Sequence, residues 1–147
     1  MIKLVLIRHG KTEGNKQGVY TGWTNTMLSK DGIEELHELK ETHTYPKTDR
    51  YYTSDLQRAI DTFNILYPDK EIHESTRAFR EVHFGIKENK PANRDSENAY
   101  YKALLTNNDR LEGETISQVG LRIFGKLFAI FKEMEDANED SLTIVCH

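Results

Sequence analysis

Arg8, His9 and Gly10 set a guanidinium, an imidazole and a flexible residue side by side, directly after the apolar run Ile2-Lys3-Leu4-Val5-Leu6-Ile7. An imidazole can act as acid, base or nucleophile near neutral pH, and a planar guanidinium beside it matches the paired oxygens of a phosphate. The tripeptide alone is equally well explained by a polar histidine at a strand end.

The elements that must position it follow from hydrophobic spacing. Ile2 to Ile7 is apolar and β-branched at strand length, and its near-continuous hydrophobicity predicts a central strand covered on both faces. Ser29 is placed to cap an amphipathic helix carrying Ile33, Leu36 and Leu39 to about Lys40. A short strand over Tyr51 to Thr53 follows. Asp55 then caps a helix whose stripe is Leu56, Ala59, Ile60, Phe63 and Leu66, closed by Pro68.

A further strand is expected around Ile72. A polar segment from Asn89 to Asn98 then leads to a helix containing Ala99, Tyr100, Ala103 and Leu104. Thr115 and Gln118 form a capping-box pattern before Ile116, Val119, Ile123, Leu127, Ile130 and Met134, and the last strand is Leu142 to Cys146. Strands alternating with helices predict an α/β fold with a mainly parallel sheet and ligands at the strands' carboxyl ends, where Arg8, His9 and His147 fall.

A chain of 147 residues, 37% apolar and 30% charged, suits one domain with a single core, over residues 1–147. A net charge of -4 with mixed signs provides no extended cationic face, so neither nucleic acid nor a membrane surface is an expected partner. Cys146 is the single cysteine, so no intramolecular disulfide or cysteine metal cluster can form, and a cytoplasmic location is the expectation. His37, His43 and His73 lack ligand-like spacing, and no metal site is predicted.

Beyond Arg8-His9-Gly10 lie Asn15, Thr21-Gly22-Trp23, Leu28-Ser29-x-x-Gly32, Ser54-Asp55-Leu56-x-Arg58-Ala59, Arg80-Glu81-x-x-Phe84-Gly85, Glu112-Gly113-Glu114-Thr115 and a final strand ending in His147. This ordered series resembles the histidine phosphatase superfamily, also called phosphoglycerate mutase-like, from residue 2 to the last residue. The resemblance implies a three-layer α/β/α domain. It also implies a nucleophile in His9, phosphoryl binding by Arg8, Arg58 and His147, and a general acid and base in Glu81. Asn15 and the backbone around Gly10 would donate further hydrogen bonds, and Thr12, Thr21 and Gly22 fall on ligand-loop positions.

That chemistry suits these residue types. A neutral imidazole is a competent nucleophile when its second nitrogen donates to a fixed acceptor, for which a nearby backbone carbonyl is expected. Fixed guanidinium donors stabilise the charge on the non-bridging oxygens. An alkoxide leaves poorly, so a carboxyl such as Glu81 must deliver a proton and later recover one from water. The implied partner is a small phosphorylated substrate. No cofactor is implied, except 2,3-bisphosphoglycerate as a phosphoryl primer if the chain is a mutase.

Lys11 stands where the family usually carries Glu or Gln, and Ile86-Lys87-Glu88-Asn89 replaces a usual acidic-aromatic-Glu-Gly run. Family members continue beyond the late histidine, so a domain cut short just after His147 is expected. The short interval between Glu81 and His147 favours a phosphatase. Thr21-Gly22-Trp23, Glu81-x-His83 and Lys90 have a mutase flavour, making phosphoglycerate mutase the alternative. A phosphate-binding domain without turnover ranks third.

Overall fold

The computed structural model describes residues 1–92, 98, 101–102, 105–106 and 112–147. Four parallel strands, β1 (Lys3–Arg8), β2 (Arg50–Ser54), β3 (Glu74–Thr76) and β4 (Ser141–Cys146), form one sheet in the order β1-β4-β2-β3. Among the described residues β1 is therefore an edge strand, not a central one. Its register runs from Lys3 opposite Ser141 to Arg8 opposite Cys146. The face bearing Leu4 and Leu6 is open, with Leu6 63% exposed. A continuous apolar run does not by itself say how many of its faces are covered, and here the expectation overreached.

Helices cover both sides, giving the expected three-layer α/β/α arrangement around a parallel sheet. On one side α2 (Lys30–Thr42) and α3 (Gln57–Leu66) pack Leu36, Ala59, Phe63 and Leu66 against Tyr51 and Val145. On the other, α4 (Ile116–Ala137) packs Ile130 and Met134 against Tyr52, Leu142 and Ile144. Neighbouring strand residues such as Tyr51 and Tyr52 thus enter opposite cores, as the two-residue period of a strand requires.

The capping signals are specific. Ser29 accepts from the Gly32 amide at the start of α2, and Thr115 and Gln118 close a reciprocal capping box at the start of α4. Asp55 does not cap α3. Its carboxylate is held by Arg80 through two bonds of 2.6 Å, and the Gln57 amide donates to Asn25 instead. The short helix α1 (Glu13–Gln17) was not anticipated. It is made by a capping box between Thr12 and Asn15 and ends on Gly18 at φ 64. The expected strand around Ile72 forms two residues later, and the helix expected through Ala99, Tyr100, Ala103 and Leu104 lies outside the described residues. No helix among the described residues is long and apolar enough to cross a membrane.

Candidate active site

The carboxyl ends of β1 and β4 lie side by side, and the His9 amide donates to the Cys146 carbonyl at 3.0 Å. This pairing brings the His9 and His147 rings edge to face, with centroids 4.9 Å apart. Nδ1 of His9 donates to the Gly10 carbonyl across 2.7 Å, which leaves the Nε2 lone pair available. Burial pushes His9 down to about 4, the Gly10 bond opposing and the Arg58 and Arg8 charges assisting, so the ring is neutral near pH 7.

His147 is half-buried beside it. Desolvation, then the charges of Arg58 and other nearby cations, hold it at about 2. Arg58 Nε donates to His147 Nδ1 at 3.3 Å, so the proton of the neutral ring sits on Nε2. That buried Nε2 has no hydrogen-bond partner among the described residues. An orphaned buried donor is costly unless a ligand completes it.

Arg58 is 1% exposed. Nη1 donates to the Thr24 carbonyl at 2.8 Å, and Nη2 to the carbonyls of Thr21 and Gly22 at 3.0 and 2.7 Å. Desolvation lowers it to about 10, with the charges of Glu81 and Glu88 opposing, so it stays cationic at neutral pH. Arg8 and Lys11 line a recess with His9 and Asn15. Glu81 and His147 line a second recess with Cys146. A larger hollow, bordered by Met1, Phe128 and Asp140, holds none of these residues.

The expected loop residues each have partners within the protein. The Gly10 amide is taken by Thr62 Oγ1 at 2.9 Å, so Gly10 orients His9 through its carbonyl and has no amide left for a ligand. Thr12 is fully buried, and its hydroxyl donates to Asn15 Oδ1. It therefore positions Asn15, which lines the recess and whose Oδ1 is taken by Thr12. Thr21 and Gly22 grip Arg58 with their carbonyls, and the Gly22 amide donates to Glu88. Lys90 is exposed. His83 stacks edge-on against Trp23 at 4.8 Å and takes no place beside His9.

Glu88 and Thr62, neither of them marked as a site residue by the sequence, hold these groups. Glu88 accepts from the amides of Gly22, Trp23, Thr24 and Phe84 and from the Thr24 hydroxyl. Burial pushes its carboxyl up, but those bonds outweigh burial and keep it below the ordinary carboxylate value. Thr62 joins the Gly10 amide to the Arg58 carbonyl. A Cβ on Gly22 would sit 2.0 Å from the Val82 carbonyl oxygen, so only glycine lets the loop that cradles Arg58 lie against the Glu81 segment. The signal for Glu88 was its place in the family run, but an acceptor of four bonds from residues 22–24 across the fold has no local signature.

The sequence profile of the histidine phosphatase superfamily (branch 1) matches residues 4–147. A 2,3-bisphosphoglycerate-dependent phosphoglycerate mutase of Treponema denticola is 46% identical over 70 residues, covering 44% of this chain and 27% of that protein. Phosphoglycerate mutase 1 of Saccharomyces cerevisiae is 48% identical over 69 residues, again covering 44% and 27%. These matches thus span about a quarter of the relatives' length. Among solved structures, the alpha-ribazole phosphatase of Shigella flexneri superposes with a TM-score of 0.74 at 29% identity, covering 98% of this chain and 73% of that one. A phosphoglycerate mutase of Bacillus anthracis shares the fold, with a TM-score of 0.81 at 21% identity over 99% and 74%.

Proposed function

The chain belongs to the histidine phosphatase superfamily, and from that premise we propose that it hydrolyses small phosphomonoesters through a phosphohistidine on His9. The observation that carries this reading is the pairing of His9, whose Nε2 lone pair is not taken up by the ring's Gly10 bond, with His147, whose buried Nε2–H lacks a partner among the described residues. One ring can form a bond to phosphorus while the other donates to a phosphoryl oxygen.

In the first step His9 Nε2 attacks phosphorus and the P–O ester bond breaks. Arg8, Arg58, the His147 Nε2–H and Asn15 Nδ2 balance charge on the non-bridging oxygens, while the Glu81 carboxyl gives its proton to the departing alkoxide. In the second, water attacks phosphorus, its proton passes to the Glu81 carboxylate, and the P–N bond to His9 breaks, releasing inorganic phosphate.

A mutase reading is supported by the identity to phosphoglycerate mutases in the matched stretch. In it a substrate hydroxyl replaces water in the second step, and 2,3-bisphosphoglycerate primes His9. Phosphate release from a panel of small phosphomonoesters, with chelator present, compares the parent with His9→Ala. Release by the parent alone is the expected result, and equal release by both would overturn the role of His9. Interconversion of 2- and 3-phosphoglycerate without phosphate release would favour the mutase.

A further inference from the structure

We propose that Arg122, on α4, is a positioning residue that aims the Glu81 carboxyl, by clamping the main chain of residues 78–81 with its whole guanidinium. The proposal rests on the hydrolase reading above. All five N–H groups of Arg122 are engaged. Nε and one Nη2–H hold the two oxygens of Glu114 at 2.6 and 2.8 Å. Nη1 donates to the carbonyls of Ala78 and Arg80, both at 2.8 Å, and the remaining Nη2–H donates to the carbonyl of Glu81 itself at 2.9 Å.

That last carbonyl is held from a second direction by Trp23 Nε1 at 3.1 Å. Glu114 is locked in turn, because its second oxygen accepts from the His83 amide at 2.9 Å and its own amide donates to the His83 carbonyl at 3.0 Å. The ion pair is mostly shielded, with side-chain exposures of 17% for Arg122 and 14% for Glu114. The Glu81 carboxyl, in contrast, is fixed locally by one bond, from the Val82 amide to Oε1. Its direction is therefore set by the main chain at residue 81, and that main chain is set by Arg122 and Trp23. An ammonium could not serve five planar acceptors, so lysine is no substitute.

The chemistry separates this role from a merely structural one. Proton donation matters for an alkoxide leaving group and hardly at all for a 4-nitrophenolate, which departs as the anion. The test compares kcat/KM for a primary alkyl phosphate and for 4-nitrophenyl phosphate in the full chain, Arg122→Lys and Arg122→Met. The expected result is a fall of about 100-fold or more for the alkyl ester, with the aryl ester changing little and inhibition by inorganic phosphate retained. Equal losses for both esters would overturn the proposal. If the Arg122 variants fail to fold by circular dichroism, Glu114→Gln, which keeps the side chain's shape, decides by the same ratio. A parent chain that cleaves neither ester would sink the hydrolase reading itself, and is read from a different sample than a failure of the clamp.

Discussion

The Nε–H of Arg58 meets Nδ1 of His147 across 3.3 Å, so one buried cation decides which nitrogen of a neighbouring imidazole carries the proton. Arg58→Lys keeps the charge but cannot reach the carbonyls of Thr21, Gly22 and Thr24 together with His147. We expect kcat/KM for a phosphomonoester to fall about 100- to 1000-fold, the scale of losing one preorganised donor. Steady-state kinetics check this, and an unchanged value would refute the assignment.

Glu88→Gln replaces one oxygen of a carboxylate that faces only donors with an NH2 group. The unmatched donors should cost about 1–3 kcal/mol, or about 2–4 °C of Tm per kcal/mol for a chain of this size. Because the loop that Glu88 ties down holds Arg58, KM should rise with the loss of stability. Thermal melts and kinetics on the same preparation test both effects.

Thr62→Val removes the hydroxyl that accepts from the Gly10 amide and donates to the Arg58 carbonyl while keeping the side chain's volume. A stability loss of about 1–3 kcal/mol is expected from the unpaired amide. A loosened Gly10 carbonyl should also release the His9 ring, so kcat should fall more than phosphate affinity does. Urea unfolding and inhibition by inorganic phosphate separate the two.

The half-buried imidazoles set a pH dependence whose sign is fixed. Their folded values, about 4 for His9 and about 2 for His147, lie below the ordinary 6.5, so the unfolded chain takes up protons first as pH falls. Their contribution to stability is complete above the ordinary value. It declines as pH drops through the window down to the folded values, by up to about 1.4 kcal/mol per pH unit for each ring. Unfolding midpoints between neutral pH and pH 5 should therefore decrease with acidity, and His147→Asn should flatten the curve. The acid limb of kcat/KM assigned to His9 should likewise lie near 4. A limb near 6.5 would contradict the buried neutral ring.

Where a residue's job is local, it could be read from the sequence. The Thr115 and Gln118 box, the Ser29 cap and the stripe on α3 depend on neighbours three or four positions away, and each signal is written in those few residues. Thr12 and Asn15 carry the same box in a single short turn, too brief for an apolar period to mark it. Asp55 had the right type and place for a cap, but Arg80 competes for it from the turn that follows β3. Glu88 and Arg122 act on main chain far away in sequence, and nothing near them indicates it. Asn89, in place of the family's usual glycine, takes φ 61, a backbone state that asparagine tolerates better than most residues.

The adjacency of β1 and β4 joins the first strand of the chain to its last described one. Closing so long a loop is an entropically late event, since local helices and short loops can form before it. His9 and His147 meet only once that closure is made, so no partly folded chain lacking the β1–β4 pair holds a half-strength site. Recovery of activity after dilution from denaturant should track the slowest refolding phase.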